Sequence, residues 1–302
     1  MENLPMAHLL DTGSLRQKAS LVFDGVDVSS TTRAEYKYRI GMFIDFITTH
    51  GLNANTYLEY KRYLATRSDY TIATKNKYLA TAKVFLRELN RTGVIPVDIT
   101  HNTKLFKQIK KHKKDGLSAK EVVRVAEYIR ELPMTPYTAR LKALFSLLAL
   151  QGLRQIEVIR LDKSHIDFVT GVAHVTSKGS DDTELVHLSP VTLKALQAHI
   201  KLNRVGSGAL FRSIGNRRSE RLSTMTIKRE FQSIFDALEI GKSVHGFRHF
   251  YITQLLSQFD VRDARKFSRH KSLEMLIVYD DEIDVRQKAD EVAKLFNDFN
   301  VS

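Results

Sequence analysis

From Thr31 onward, apolar and polar positions follow the period of an α-helix: Tyr36, Ile40, Phe43, Ile44 and Ile47 share one face. Thr31 or Thr32 can cap this helix and Gly51 ends it. A second helix is predicted over 55–67, with Tyr57, Tyr60 and Leu64 inward. A third spans 71–90, where Tyr78, Leu79, Ala82, Phe85, Leu86 and Leu89 form the stripe, and Gly93 and Pro96 stop it. These three make a small helical bundle behind a loosely ordered leader.

Beyond residue 100 the pattern changes twice. Lys104, Lys107, Lys110, Lys111, Lys113 and Lys114 lie close together with no acid among them. Ser118 followed by Glu121 then marks a fresh helix start. Residues 165–168, 172–176 and 185–188 alternate apolar with polar side chains, and turns at 169–171 and 179–182 separate them, which predicts a three-stranded antiparallel sheet. Helices resume at Pro190 and run to the end, where Val292, Leu295, Phe296 and Phe299 share a helical face. The expected fold is mainly α with two domains: an N-terminal helical bundle and a C-terminal α+β domain with one small sheet. The expected boundaries are a leader over 1–13, a front domain over 14–100, a basic linker over 101–116, and a second domain over 117–302 with its last helix from about 286.

Length and charge fit two domains acting on a polyanion. The chain has 302 residues, more than one ordinary domain holds, and 47 basic against 34 acidic side chains give +13. That balance favours nucleic acid ahead of an anionic membrane. Residues 1–115 hold 19 basic and 11 acidic side chains, so the front part carries more net charge per residue. No cysteine is present, which removes disulfides, thiol catalysis and Cys-ligated metal sites. The longest apolar-rich run, 141–153, is interrupted by Lys142, Ser146, Gln151 and Gly152, too short and too polar for a membrane span. Met1-Glu2-Asn3-Leu4-Pro5 does not begin a signal peptide. A cytoplasmic protein with no membrane partner is expected.

No GxxxxGK[ST], strand-linked GxGxxG, HExxH or GxSxG motif occurs, so neither a metal nor a cofactor is expected. What stands out is a dispersed set. Arg154 lies in Gly152-Leu153-Arg154-Gln155-Ile156-Glu157, Lys178 sits at the turn between two strands, and His245-Gly246-Phe247-Arg248-His249 follows. Arg269-His270 and Tyr279 complete it. Each is unremarkable alone; together they suit phosphoryl transfer. A phosphodiester repels nucleophiles, and the planar forks of two arginines can neutralise the charge that spreads over its non-bridging oxygens.

This pattern resembles the tyrosine recombinase family of phage integrases and Xer-like proteins. The first box is similar to 150–157, the His-x-x-Arg-His box to 245–249, and the last box to 268–270 followed by Tyr279. The resemblance covers the second domain, and the front bundle is similar to the family's core-binding, SAM-like module. It implies a site-specific DNA recombinase that cleaves and rejoins strands, without metal or ATP, through a 3′-phosphotyrosine intermediate. Arg154 and Arg248 would hold the phosphate, His270 would donate a hydrogen bond to it, and Tyr279 would be the nucleophile. His245 would act as base or proton shuttle, Lys178 would protonate the leaving 5′-oxygen, and Glu157 would support the site structurally. Two departures stand out. Arg269 replaces a glycine, an exchange expected to disturb the backbone beside His270. Asp280-Asp281-Glu282 places negative charge beside the nucleophile.

The implied partners are double-stranded DNA with inverted repeats, a second copy on each site, a homotetramer in synapsis and, optionally, accessory DNA-bending proteins. The short front part leads us to expect no arm-binding domain, and the C-terminal helix is expected to pass to a neighbouring protomer or to pack on its own domain. Arg33, Lys37, Lys75, Lys77, Lys83, Lys104, Lys107, Lys110, Lys111, Arg217, Arg218 and Arg221 are the expected phosphate contacts, which fix register without reading sequence. The integration, excision or resolution of a mobile element or replicon is the expected task. The alternatives are type IB topoisomerase-like relaxation and a non-catalytic sequence-specific DNA-binding protein.

Overall fold

In a computed structural model the chain divides into two compact units, Met1–Lys111 and His112–Ser302. The structure describes residues 19–108, 116–177, 183–213, 220–270, 272, 273 and 276.

In the first unit, helical residues 19–24 precede α1 (Ser30–His50), α2 (Thr56–Thr66) and α3 (Ile72–Arg91). α1 starts earlier than its sequence pattern predicts, because Ser29 rather than Thr31 or Thr32 caps it, its hydroxyl accepting the Thr32 N–H. The inward faces bury Phe43, Ile44, Tyr57, Tyr60, Leu64, Leu79, Phe85 and Leu86. Tyr57 is fully buried and its hydroxyl donates to the Leu79 carbonyl at 3.1 Å, so the polar end of a core aromatic is satisfied. Arg33 donates to the carbonyls of Phe23, Val26 and Val28, fastening the segment ahead of α1.

This unit runs further along the chain than the sequence pattern indicates. Gly93 turns the chain with φ 76°, after which Ile95 and Ile99 return to the core. The Asn76 side chain then pairs with both backbone groups of Phe106, at 2.9 and 3.0 Å, and Lys61 lies over the Phe106 ring. A polar run hid this docking, since only one apolar residue in it is anchored.

The second unit begins on α4 (Ala119–Glu131), held by the Ser118–Glu121 capping box. α5 (Pro136–Phe145) passes into a π-helical turn, Ser146–Leu150. α6 (Gln155–Arg160) follows, then β1 (Ile166–Asp167), β2 (Val172–Thr176) and β3 (Thr183–His187). The strands form an antiparallel sheet in the order β1-β2-β3, with Ile166 opposite Ala173 and Ala173 opposite Val186. β3 starts at Thr183, two residues before its apolar alternation does, because backbone pairing continues to Thr176 opposite Thr183 whatever the side chains. α7 (Pro190–Leu202), α8 (Thr224–Ala237), α9 (His245–Gln258) and α10 (Val261–Ser268) complete the described elements. The architecture is mainly helical with one small sheet. Among the described residues, no helix is long and apolar enough to cross a membrane.

An aromatic cluster sets α9. Phe247, fully buried, packs edge-on against Phe145 at 5.5 Å and Phe231 at 5.2 Å, and also meets Phe235. With Phe247 inward, the neighbouring helical positions fix where Arg248 and His245 point. Gly116 locks the start of the unit against the same helix. A Cβ there would lie 2.2 Å from the His249 ring, and the Leu117 N–H donates to the Gly246 carbonyl.

These contacts predict opposite effects at two glycines. Gly116→Ala should lower the stability of the second unit by about 1–3 kcal/mol, because the ring it meets is itself packed. Gly41→Ala, inside α1 with nothing within 4 Å of the new methyl, should raise stability by roughly 0.5–1 kcal/mol. Thermal unfolding of both variants checks the pair, and a neutral Gly116→Ala would contradict the packing described.

Candidate active site

The site grows from a sharp turn after the π-helical segment. Gly152 takes φ 59°, and a Cβ there would sit 2.2 Å from the Tyr251 ring, so both conformation and space demand glycine. The turn aims the Gly152 carbonyl at Arg248, whose Nη1 donates to it at 2.5 Å. The Nη2 of Arg248 donates to the Ser268 carbonyl at 2.6 Å and reaches the Nε2 of His270 at 3.4 Å. A single guanidinium, 3% exposed, thus joins the turn before α6, α9 and the end of α10.

His270 is held from several sides. Its Nδ1 lies 2.8 Å from the Ser268 hydroxyl, which donates in turn to the Arg265 carbonyl. A guanidinium can only donate, so Nε2 accepts from Arg248 and the imidazole proton is assigned to Nδ1. Arg265 Nε donates to the His270 carbonyl at 3.1 Å. Burial, reinforced by the charges of Arg248, Arg154 and Arg269, pushes the imidazole down to about 3, so it is neutral near pH 7.

Arg154 is the N-cap of α6, partly exposed, with Nη1 donating to Glu157 Oε1 at 2.7 Å and its own N–H to Oε2 at 2.8 Å. Glu157 is fully enclosed. Burial pushes its carboxyl up, but the Arg269 guanidinium and the hydrogen bonds from Arg154 outweigh this and hold it below the usual carboxylate range. Arg269 itself sits at φ 55°, ψ 46°, the left-handed region that costs a side-chain-bearing residue about 1 kcal/mol or more. The expected disturbance does not occur: the chain turns as a glycine would, His270 keeps its partners, and Arg269 Nη2 donates to Glu157 Oε2 at 2.8 Å.

The structure therefore brings Arg154, Arg248 and His270 together. His245 is exposed in the first turn of α9. Lys178 and Tyr279 lie outside the described residues, as do Asp280, Asp281, Glu282, the C-terminal helix, Lys110, Lys111, Arg217 and Arg218. Of the other expected phosphate contacts, Lys77, Lys104 and Lys107 are exposed and Lys83 is half-buried. Four are engaged within the fold. Arg33 holds backbone carbonyls, Lys37 pairs with Asp24 at 2.8 Å, Lys75 is buried with its ammonium on the Ala65 carbonyl, and Arg221 reaches Asp162 and the carbonyls of Ile159 and Leu161. Sequence reasoning missed Arg262, Arg265 and Lys266, which line a cleft of about 790 Å³ beside Arg269 and His270. The basic spacing along α10 was the available signal. Among the described residues no group of acidic and histidine side chains is arranged to hold a metal.

A helical domain with a small sheet, whose buried arginines and histidine converge at one end of α9, has the fold of a tyrosine recombinase catalytic domain. The model of the phage integrase family matches residues 116–285, more than half of the sequence, and the chain belongs to that family. It is 26% identical to the tyrosine recombinase XerC of Lactobacillus delbrueckii subsp. bulgaricus over 227 residues, 72% of this chain and 74% of that protein. With XerC of Mesorhizobium japonicum it shares 28% over 271 residues, covering 83% and 85%. In fold it is similar to the Tn1549 transposon integrase in complex with transposon right end DNA (TM-score 0.73, 13% identity, 95% of this chain and 99% of that one). It is similar also to the XerH site-specific recombinase bound to palindromic difH substrate (TM-score 0.72, 16% identity, 95% and 85%).

The histidine yields a pH prediction. An imidazole in the unfolded chain titrates near ~6.5, well above the folded value, so the folded state binds one proton fewer. The stability that neutral His270 contributes is fully present above that pH and is lost as pH falls toward 3. His270→Asn should therefore lose less melting temperature than the wild type between pH 7 and 4. Identical slopes in the two proteins would contradict the assignment.

Proposed function

We propose that the protein is a site-specific DNA strand transferase acting through a 3′-phosphotyrosyl ester on Tyr279. The observation that carries this reading is the placement of Arg154, Arg248 and His270 around one point, with the Arg248 guanidinium bonded to both flanking turns. Both guanidiniums are fixed before substrate arrives, so little reorganisation remains when charge develops on the phosphate.

In the cleavage step the Tyr279 oxygen forms a bond to phosphorus as the bond from phosphorus to the 5′-oxygen breaks. His245 takes the phenolic proton and Lys178 supplies one to the leaving oxygen. His270, neutral with its proton on Nδ1, donates to the phosphate after it turns to the other tautomer or takes up a proton beside the new negative charge. The ester conserves the bond, and attack by a 5′-hydroxyl reverses the chemistry with a new strand. The first unit serves as the core-binding half and the basic run over 104–114 follows the phosphates, with Lys77, Lys104 and Lys107 as exposed contacts. Two protomers occupy an inverted repeat, and two such pairs form the synaptic tetramer that integrates, excises or resolves a DNA element.

A nicked half-site that traps the cleaved strand tests the chemistry. The wild type should give an SDS-resistant adduct and Tyr279→Phe none, and Arg154→Lys should slow its formation by about 10²-fold. No adduct on any candidate site would favour a DNA-binding protein without catalysis.

A surface feature supports the reading of a second copy as partner. Ile129, Met134, Phe145, Leu150, Val191 and Ala195 line an apolar groove of about 530 Å³ whose rim carries Arg130, Lys142 and Lys194. The sequence pattern at Val292, Leu295, Phe296 and Phe299, with Asp290, Glu291 and Asp298 beside it, is complementary in both apolar face and charge. We place that segment of a neighbouring protomer in this groove. Deleting 290–302, or introducing Val191→Asp at an exposed groove position, should weaken synaptic assembly about tenfold and leave binding to a single half-site unchanged. Unaltered assembly in both variants would contradict the exchange.

A further inference from the structure

We propose that Arg269 is a positioning residue for strand cleavage: it occupies Oε2 of Glu157, leaves the Arg154 guanidinium a single-point contact on Oε1, and links this shared carboxylate to Glu184 on β3. This rests on the strand-transfer reading and adds to it a residue that acts through Glu157 and touches no substrate.

The geometry is specific. Glu157 Oε2 receives two donors, Arg269 Nη2 and the Arg154 N–H, both at 2.8 Å, while Oε1 receives Arg154 Nη1 at 2.7 Å. The Arg269 side chain is 5% exposed and that of Glu157 fully enclosed, so neither oxygen is shared with bulk solvent. On its other side Arg269 Nε lies 3.4 Å from Glu184 Oε2, and neither atom has a hydrogen-bond partner among the described residues. Arg269 thereby spans the end of α10, the start of α6 and β3, the strand that follows Lys178 in the sequence.

Without Arg269, Oε2 becomes available to a second N–H of Arg154. A carboxylate with both oxygens on one guanidinium makes a fork-to-fork pair, the geometry that an arginine would otherwise offer to phosphate. The backbone suggests that the side chain is retained for this contact. A left-handed turn favours glycine, so an arginine there has to offset its conformational cost through contacts. Arg269→Gly is accordingly a mild substitution, since the turn is kept and only the guanidinium is removed.

Trapped cleavage on the nicked half-site, followed from pH 5 to 8, is the experiment, with Arg269→Gly, Arg269→Lys, Glu157→Gln and Arg269→Gly/Glu157→Gln beside the wild type. We expect Arg269→Gly to cleave roughly tenfold slower, with the acid limb of its profile moved to higher pH as Glu157 loses a cation. Arg269→Lys should recover part of the rate, and in the Glu157→Gln background the glycine should change the rate less than about twofold. Wild-type rate and profile in Arg269→Gly, or full additivity with Glu157→Gln, would overturn the proposal. Thermal unfolding of the same proteins from pH 7 to 4 decides it independently of chemistry. The stability lost on acidification should be smaller in Arg269→Gly than in wild type, and the glycine should change it less when residue 157 is Gln, where only the relief of His270 from the Arg269 charge remains. A wild type that forms no adduct but passes the unfolding comparison would count against strand transfer alone, while unchanged acid slopes would count against the role of Arg269.

Discussion

Like charges repel most where water is scarce, and this protein gathers the guanidiniums of Arg154, Arg248 and Arg269 with the imidazole of His270 at the meeting of α6, α9 and α10. The surrounding structure answers that constraint in two ways. Glu157 supplies one enclosed negative charge, shared between Arg154 and Arg269. Arg248 has its charge spread over backbone dipoles, the carbonyls of Gly152 and Ser268. The one group able to shed its charge does so, and His270 stays neutral. In the proposed strand-transfer reading the phosphate adds negative charge to this cationic cluster, which is the stabilisation a phosphoryl-transfer centre needs.

Much of the fold serves to hold those carbonyls and side chains in register. Gly152 can turn only because it has no Cβ, and Tyr251 fills the place one would occupy. Phe247, locked by Phe145 and Phe231, fixes the rotation of α9 and so the direction of Arg248. Gly116 lets the chain enter the unit against His249. These positions are apolar or lack side chains, and their effect on the site is purely geometric.

The elements were largely legible in the sequence because amphipathic periodicity reports burial directly. Tyr57, Tyr60 and Leu64, and Leu79 through Leu89, fell on the faces that are buried. Where the pattern misled, side-chain to backbone bonds were the reason: Ser29 capped α1 in place of the threonines, and Asn76 carried the bundle on to Phe106. At the site, the box spacing picks out Arg154, Arg248 and His270, which meet in space. The expectation that Arg269 would disturb His270 failed because a side chain can stabilise a turn that its backbone disfavours, and no spacing rule records a contact between residues 157 and 269. Charge was legible only in sum. Arg33, Lys37, Lys75 and Arg221 counted toward +13, yet each is engaged inside the fold.

The central claim is that one tyrosine takes the scissile phosphate from this cationic pocket. Mass spectrometry of the trapped adduct after nuclease and trypsin digestion tests it most directly, because cleavage after Lys271 and Arg286 yields a peptide whose only tyrosine is Tyr279. The account predicts a nucleotide 3′-phosphate on Tyr279, with a free 5′-hydroxyl on the released strand. A phosphate on another residue, or a 5′-linked adduct, would contradict it.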